Sequence, residues 1–507
     1  MNKEYDFVIV GSGLGGLQCG FVLASEGFEV CILEKNKQIG GSLQVFSRDK
    51  TIFDTGVHYI GGLSKGQNLY RYFKYFGIMD DLKLIRMDED GTDVVTFEGD
   101  PKGYKHAQGY DRFIQTMIDN FPDESEAIRI YCDTIIEICQ KFPLYHVEYN
   151  EGNVLDEKFL SVNTKDFIAS LTSNRKLQDV LAGTNALYAG VAEKTPLYVH
   201  ALIVNSYIES AYRCVDGGSQ IAILLSKQVR KHGGKIKKHA EVTEFVMSDG
   251  KIHAVKLANG ELVKGKKFIS NAHPQTTLKW VEPGGIKKSF RNRISRMENT
   301  VSSFTVHIVC KPKSFPYINH NYYHLNGENA WSTVDYDPKK WPESYMLCTP
   351  ATSKSQHWAK GITIMAYMKF EEVAKWADTF NTVSQEQSRG EDYDAFKKEK
   401  ETLLINEVAK RFPAIKDCIQ SVHSSSPLSF RDYIGNEDGS LYGVLKDHKN
   451  PLLSFLTPKT KISNLYFTGQ NLNLHGMLGV TVSSIVTCSE FIGKKELLDK
   501  VRAASEG

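Results

Sequence analysis

Three glycines near the start of the chain have the spacing of a phosphate-binding turn, Gly11-x-Gly13-x-x-Gly16. We expect Gly11 to permit a tight turn and Gly13 to let the backbone approach a pyrophosphate closely. Gly16 would allow a helix to pack against a strand, and the positive N-terminal end of that helix would attract phosphate charge. The pattern often occurs by chance, so its meaning depends on the elements that flank it.

The flanking residues predict a strand, a turn, a helix and a second strand. Residues 7–10 and 30–33 are short apolar runs typical of buried strands, and residues 14–25 are rich in small and apolar side chains, as in a buried helix. Glu34 ends the second run, where a carboxylate accepts hydrogen bonds from a ribose diol and repels a 2′-phosphate. The sequence therefore predicts a dinucleotide-binding βαβ unit, with NAD and FAD as alternatives.

Two further blocks also mix strands and helices. The middle block predicts a helix over residues 220–231, strands over 235–238, 241–247 and 252–257, and a buried strand over 268–271. The last block, residues 465–493, predicts a strand, a glycine-rich loop and a helix that begins at about Val480, just after Gly479. The highly charged residues 378–401 predict a solvated surface segment.

Seven longer motifs carry a resemblance to a known family. They are FDTGVHYIG at 53–61, VDGGS at 215–219, ISNA at 269–272, SPLS at 426–429, GSLYG at 439–443, LYFTGQ at 465–470 and GMLGV at 476–480. In these motifs, in matching order over its whole length, the chain resembles the FAD-containing phytoene desaturase superfamily. Within it, the chain most resembles the retinol saturase and carotenoid isomerase branch. The resemblance implies FAD rather than NAD as the cofactor.

The resemblance also implies an architecture. We expect an α/β fold with a Rossmann-like FAD-binding domain of the glutathione-reductase type and an α+β substrate-binding lid domain. Because three distant motifs would serve one ligand, the FAD-binding domain should be discontinuous, built from residues 1–73, 214–278 and 428–507. Residues 74–213 and 279–427 would form the lid domain.

The residues expected to contact FAD follow from the matching motifs. They are Gly11, Gly13, Leu14, Gly15, Gly16, Glu34, Lys35, Gly41, Ser42, His58, Val242, Asn271, Gly469, Gln470, Met477, Leu478 and Gly479. Ser42 departs from the family pattern because desaturases often carry Arg there, and Gln470 departs because an acid often follows the Thr-Gly pair. The amides of the last helix would point at N1 and the C2 carbonyl of the flavin and stabilise the anionic reduced ring.

His58 and Tyr59 are the predicted catalytic pair, because the resemblance places their loop beside the flavin ring. Neutral His58 could donate one hydrogen bond, and protonated His58 could supply a proton. Asp54, in the same loop, is expected to order backbone amides rather than meet the substrate. We expect His475 to support the turn before Gly476.

Three functional hypotheses are open at this point. The first is an FAD-dependent oxidoreductase that saturates, desaturates or isomerises a carbon–carbon double bond of a large apolar polyene, such as a retinoid or carotenoid. The 24 tyrosines and 26 phenylalanines could line its tunnel or simply form core. The alternative is an amine-oxidase-like or protoporphyrinogen-oxidase-like flavoenzyme, and no feature favours a non-catalytic protein. The direction of reaction and the external electron donor or acceptor stay open.

Composition restricts the partners, metal sites and cellular location that we expect. The chain has 507 residues and a net charge of +2, which argues against nucleic acid as a partner. The nine cysteines include no CxxC pair, so we expect no zinc or other metal site and a reducing, cytoplasmic location. Residues 462–489 carry no charge, but their asparagines and glutamine suit a buried segment better than a membrane span. A water-insoluble substrate would favour peripheral contact with a membrane.

Overall fold

Two seven-stranded β-sheets and the helices around them organise the chain into an α/β fold. The computed structural model describes residues 3–149, 157–327, 329–355 and 357–506. The strands are β1 (Glu4–Val10), β2 (Val30–Leu33), β3 (Val45–Arg48), β4 (Thr51–Asp54), β5 (Ile60–Gly61), β6 (Leu84–Arg86), β7 (Asp93–Phe97), β8 (Gly103–His106), β9 (Ala211–Cys214), β10 (Lys235–Lys237), β11 (Val242–Ser248), β12 (Lys251–Leu257), β13 (Leu262–Ser270), β14 (Ser302–Cys310), β15 (Asn321–Leu325), β16 (Ser344–Cys348), β17 (Gly361–Met368), β18 (Ile419–Ser425) and β19 (Leu465–Phe467).

Helices connect these strands. The α-helices are α1 (Leu14–Ser25), α2 (Asn68–Tyr75), α3 (Tyr110–Asn120), α4 (Ser125–Gln140), α5 (Glu157–Leu160), α6 (Thr164–Leu171), α7 (Arg175–Leu181), α8 (Leu197–Glu209), α9 (Ser219–Lys231), α10 (Pro274–Lys279), α11 (Lys288–Ser295), α12 (Glu391–Arg411), α13 (Ile415–Cys418), α14 (Pro427–Ile434), α15 (Pro451–Ser454), α16 (Gly476–Ile492) and α17 (Lys494–Glu506). Short 3₁₀ turns lie at Gly41–Leu43, Met79–Asp81, Pro122–Glu124, Pro143–Tyr145, Asn185–Leu187, Ala330–Thr333, Pro338–Lys340 and Phe370–Trp376.

The first sheet brings the ends of four strands to one edge. Its order is β10-β2-β1-β13-β12-β11, and β19 also pairs with β13. Strands β2, β1, β13 and β19 run parallel, and their last residues are in register with one another. In an open parallel sheet, ligands bind beyond the carboxyl ends of the strands. The residues that follow these four ends are Gly11, Glu34, Asn271 and Thr468.

The N-terminal unit has the elements predicted from the sequence. Helix α1 and strand β2 occupy the predicted ranges, whereas β1 starts earlier, at Glu4. Strand β13 also starts earlier than expected, at Leu262. Its first residues pair with β12 and alternate between exposed and buried positions. Its last three residues form a continuous buried run. The apolar run in the sequence therefore marked only the buried end of this strand.

The prediction that the last long helix begins at about Val480 is wrong. Helix α16 begins at Gly476, so the residues assigned to a glycine-rich loop form its first turn. Gly476 adopts a positive φ of 73° at the entry. A Cβ on Gly479 would lie 2.4 Å from the carbonyl oxygen of Leu474, so only glycine fits this close approach. The glycines here shape a helix start rather than prevent one.

The second sheet has the order β18-β14-β17-β16-β15-β7-β8. Its pairs are antiparallel except for β7 and β15, which run parallel. Every residue of β14 is buried, so the sheet is covered on both faces. Helix α12 contributes Leu404 and Val408 to the core that Phe304 and Val306 of β14 share.

The charged segment is only partly solvated, contrary to the prediction. Helix α12 carries much of it, and Lys400 and Glu401 are buried there. The Lys400 ammonium donates to Glu372 at 2.8 Å, and Glu401 accepts from the Ser424 hydroxyl at 2.8 Å. A charged helix can therefore pack against this sheet because each buried charge has a polar partner.

A three-stranded sheet, β5-β9-β6, positions a second group of polar residues. Tyr59 directly precedes β5, and Arg213 lies on β9. The Arg213 guanidinium donates to the side-chain oxygen of Asn321 on β15 at 2.8 Å. This contact ties the small sheet to the second large sheet.

The uncharged stretch near the C-terminus folds as β19, a loop and α16. Helix α16 packs on α1, where Gln18 donates to the Thr481 hydroxyl at 2.8 Å. Among the described residues, no helix is both long enough and apolar enough to cross a membrane.

Candidate functional site

The glycine turn has the geometry that its spacing predicts. Gly11 adopts a φ of +93°, which permits the sharp turn after β1. A Cβ on Gly16 would lie 2.0 Å from the carbonyl oxygen of Gly11, so any side chain there would clash with the backbone. Gly13 is the N-cap of α1 and provides no side chain to cap it, so the first amides of the helix are available to an anion. Leu14 and Gly15 begin the buried first turn of this helix.

A second turn packs directly against the first. Gly13 and Gly40 form a parallel β-bridge, and the Gly40 amide donates to the Ser12 carbonyl at 3.0 Å. Gly41 adopts a φ of +56°, and a Cβ there would lie 3.3 Å from the Gly13 Cα. Ser42 follows and is exposed. The predicted residues Gly41 and Ser42 therefore lie beside the glycine turn.

Glu34 occupies the predicted place and also supports the turn itself. Its carboxylate accepts from the Ser12 amide at 3.0 Å, from the Ser12 hydroxyl at 2.5 Å and from the Asn36 amide at 2.8 Å. A carboxylate has about four lone-pair positions, so one is free for a ribose hydroxyl. Sequence reasoning missed Ser12, because an unspecified position inside a glycine turn carries no local signal.

Asn271 lies where the three predicted motifs meet. Its backbone amide donates to the Val10 carbonyl at 2.9 Å. Side-chain atoms of Asn271 would lie 2.7 Å from a Cβ on Gly15 and 2.5 Å from a Cβ on Gly469. The structure therefore brings Asn271 together with Gly15 and Gly469, as expected for one shared ligand.

Two predicted contacts lie on the Glu34 side of the site. Val242 begins β11, two residues after Ala240, whose amide donates to the Glu34 carbonyl at 2.8 Å. The Lys35 ammonium points elsewhere, because it donates to the Asp432 carbonyl at 2.8 Å. Burial lowers the pKa of Lys35. Lys35 thus links the site to α14 through its side chain.

Helix α16 presents the second free helix end. His475 is its N-cap and makes no side-chain capping bond, so the amides near Met477 and Leu478 are open to a ligand. The His475 imidazole instead bonds the Leu187 carbonyl at 3.2 Å, which agrees with its predicted supporting role. Gln470 precedes the residues that lead into α16. It is partly exposed and packs near Gly443.

The segment that leads into β5 contacts Gly218 and the second turn. Asp54 accepts a hydrogen bond from the Gly218 amide at 2.7 Å, which confirms its predicted role in ordering backbone amides. Burial raises the pKa of Asp54 to about 7. A Cβ on Gly56 would lie 3.1 Å from the Ser42 carbonyl oxygen, so the loop contacts the second turn closely.

His58, Tyr207 and Tyr442 lie deep in the protein, yet each keeps part of its side chain accessible. From this we infer an enclosed space beside them, which is called the cavity below. The Tyr442 ring packs on the His475 ring with centroids 4.4 Å apart, so this cavity reaches the start of α16. Burial, with the nearby Arg213 guanidinium, lowers the pKa of His58 to about 4. This lowered pKa favours the neutral imidazole near pH 7 over the proton-donating form considered above.

Tyr59 points away from His58 into a buried polar network. Its hydroxyl donates to the Asp93 carboxylate at 3.1 Å and bonds the Tyr323 hydroxyl at 2.7 Å. Asn321 donates to the other Asp93 oxygen at 2.7 Å. Sequence reasoning missed Asp93, although a single carboxylate that begins the apolar run Asp93–Phe97 is a recognisable signal.

A narrow cleft with a cavity volume of about 10 Å³ lies beside this network. Tyr323, Tyr367, Met346 and Met365 line it together with Ala186. The Ala186 carbonyl accepts from the Tyr367 hydroxyl at 2.7 Å and from the Tyr442 hydroxyl at 2.9 Å, so the cleft adjoins the cavity. A larger groove lies at the start of α17, but none of the residues above lines it.

The donor set fits FAD. The free amides of α1 suit the pyrophosphate, the Glu34 carboxylate suits the adenosine ribose, and the free amides of α16 suit the flavin ring carbonyl. Gly13, Gly15 and Gly469 have no room for a Cβ, and they lie around this proposed FAD site.

Comparisons with known proteins agree with this geometry. The family described as flavin-containing amine oxidoreductase matches residues 14–359. The chain is 27% identical to the all-trans-retinol 13,14-reductase of Rattus norvegicus, covering 99% of this chain and 88% of the relative. It is 25% identical to prolycopene isomerase 2 of an Oncidium hybrid cultivar, covering 96% and 83%. The structure of putrescine oxidase bound to putrescine is similar in fold, with a TM-score of 0.62, 12% identity and 99% of both chains covered.

Proposed function

Because the chain belongs to the flavin-containing amine oxidoreductase family, we propose that it is an FAD-dependent oxidoreductase acting on a carbon–carbon double bond. The substrate we propose is a large apolar polyene of the retinoid or carotenoid type. Saturation, desaturation and isomerisation all need hydrogen exchange between such a bond and the cofactor. The full-length similarity to retinoid- and carotenoid-named relatives supports this substrate class.

The proposed architecture assigns the two large sheets different roles. The first sheet belongs to a Rossmann-like, discontinuous FAD-binding domain of residues 1–73, 214–278 and 428–507. The second sheet belongs to a substrate-binding lid domain of residues 74–213 and 279–427. When bound, FAD supplies the redox chemistry, and the protein binds, orients and shields the reacting bond.

The electrostatics of the cavity favour a neutral polyene over an amine. Burial and Arg213 keep His58 neutral by lowering its pKa to about 4. Burial also lowers the pKa of His475 to about 4, and Lys446 contributes in the same direction. Arg213 thus places one fixed positive charge beside His58, where a buried ammonium substrate would pay both desolvation and repulsion. This is the observation on which we prefer the polyene to the amine-oxidase alternative.

An anaerobic flavin assay separates the two functions. Holoenzyme reduced with dithionite is mixed with all-trans-retinol, and oxidised holoenzyme is mixed with putrescine, while flavin absorbance is followed. We expect retinol to reoxidise the flavin and putrescine to leave the oxidised spectrum unchanged. Reduction of the flavin by putrescine, without any response to retinol, would show that the amine-oxidase alternative is correct.

Setting and partners follow from the substrate. A water-insoluble polyene must be collected from lipid, so we propose a cytoplasmic enzyme with peripheral membrane contact, for which liposome flotation is the test. Saturation also needs an external electron donor, and desaturation needs an acceptor. The flavin assay, repeated with candidate nicotinamide donors, tests for the electron donor that saturation needs.

A further inference from the structure

The proposed reduction needs a proton donor that the cavity histidines do not provide. Adding two hydrogens to a double bond takes one hydride and one proton. His58 and His475 both have pKa values lowered to about 4, chiefly by burial, so neither is an acid near neutral pH. Apart from these histidines, the described residues that border the cavity are tyrosines, Tyr207 and Tyr442. A proton must therefore reach the cavity from a group behind its wall.

We propose that Asp93, Tyr59 and Tyr323 form a proton relay that ends at the cleft. Tyr323 lines the cleft and bonds Tyr59 at 2.7 Å, and Tyr59 bonds Asp93 at 3.1 Å. All three side chains are buried. The three hydroxyl and carboxyl oxygens thus form one unbroken line of hydrogen bonds. This inference rests on the proposed function and identifies the acid of its reductive direction.

The relay balances as a single concerted transfer. Bound FAD, once reduced by an external two-electron donor, would supply a hydride with its electron pair to one carbon of the double bond. The π electrons of that bond take the Tyr323 proton at the other carbon. Tyr323 receives the Tyr59 proton, Tyr59 receives the Asp93 proton, and Asp93 is left as a carboxylate. After product release, Tyr323 takes a proton from solvent at the cleft, and the two hydrogen bonds pass protons back through Tyr59 to Asp93.

The surroundings of Asp93 suit a carboxyl that stores a proton. Burial raises its pKa to about 6, while bonds from Asn321 and Tyr59 and the charge of Arg213 oppose that rise. Arg213 reaches it indirectly, because its guanidinium bonds the Asn321 oxygen at 2.8 Å. The titratable or charged groups that face Asp93 from neighbouring elements are Tyr59, Tyr207, Arg213, Tyr323 and, across β8, His106. Burial lowers the pKa of His106 to about 4, so it does not titrate near 6.

Tyr323 is the group at the substrate, whereas Asp93 and Tyr59 act through it. Tyr207 and Tyr442, which border the cavity, lie close enough to Tyr323 to raise its pKa further. Tyr59 also packs on the Tyr207 ring, with centroids 4.5 Å apart. The relay therefore ends where the cleft and the cavity adjoin.

Two measurements on the FAD holoenzyme test the relay. The first is an infrared titration from about pH 5 to about pH 8, which follows the C=O stretch of protonated carboxyls. Asp54 also titrates in this window, so the Asp93 band is isolated as the difference between wild type and Asp93→Asn. We expect a carboxyl that ionises near pH 6 and is missing from the variant. No such band would overturn the relay, whatever the substrate.

The second measurement is single-turnover reduction of all-trans-retinol by dithionite-reduced enzyme over the same pH range. The wild-type rate should fall as Asp93 ionises above about pH 6. Asp93→Asn and Tyr323→Phe should be slower by about 10²–10⁴-fold and lose this pH dependence. Tyr104→Phe is the matched control, because its hydroxyl bonds Asp100 at 3.1 Å outside the network, and its rate should be unchanged.

The outcomes are separable. If Asp93→Asn lowers the melting temperature but keeps the wild-type pH profile, the network is only structural and the relay is wrong. If wild-type enzyme reduces no polyene, the reductive direction of the proposed function fails, and the infrared titration still decides whether Asp93 stores a proton.

Discussion

Replacing Glu34 with arginine is expected to yield a folded protein that retains little FAD. The change removes the carboxylate that accepts from Ser12 and Asn36 and that we assign to the adenosine ribose. A hydrogen bond to a charged group contributes roughly 1.5–3 kcal/mol, so losing the one ribose bond should weaken FAD binding by about 10–10²-fold. Titration of apoprotein with FAD, with the flavin-to-protein ratio after purification, measures the effect.

Glu29→Arg is the matched control for this variant. Glu29 directly precedes β2 and Glu34 directly follows it, so the two variants change charge equally at opposite ends of one strand. Glu29 is exposed and pairs only with Lys3, at 2.6 Å, among the described side chains. Its FAD affinity should match wild type. Full flavin content in Glu34→Arg would remove Glu34 from the cofactor site.

His58→Ala is expected to leave FAD bound and to slow turnover by about 10²-fold. The neutral imidazole borders the cavity and makes no side-chain hydrogen bond to the described residues, so its contribution is to position the substrate. A misplacement of about 1 Å at the reacting atoms can cost 10²-fold in rate. Melting temperature, flavin content and turnover should be measured on the same preparation.

Asp54→Ala provides the contrast within the same loop. Its carboxylate orders the Gly218 amide, so the variant should lose stability and flavin while turnover per bound flavin changes little. If His58→Ala behaves in this way instead, with normal turnover per flavin and a lower melting temperature, His58 is a packing residue.

The parts of the site that the sequence could predict are those set by local spacing. The glycine turn, α1, β2 and Glu34 form one continuous segment, and each glycine has a steric reason visible in its pattern. Asn271 and Gly469 were also placed correctly, because parallel strands bring their ends to one edge.

The parts that sequence reasoning missed depend on contacts between distant residues. No feature of the sequence indicated that the Tyr59 hydroxyl bonds Tyr323 and Asp93 of the second sheet, and its predicted place beside the flavin stays a prediction. The ionisation of His58 depends on Arg213, which lies on a separate strand. The start of α16 was misplaced because glycine usually signals a loop, whereas here close packing on Leu474 requires it.

The most direct test of the account is the mass of the product formed in one turnover. Reduced holoenzyme is mixed anaerobically with an equal amount of all-trans-retinol, and the extract is analysed by mass spectrometry. The account predicts that a retinoid heavier by two hydrogens forms in proportion to the flavin reoxidised, or that an isomer of unchanged mass forms while the flavin stays reduced. Recovery of unaltered retinol and of every other polyene tried, from both reduced and oxidised enzyme with a full complement of FAD, would contradict it.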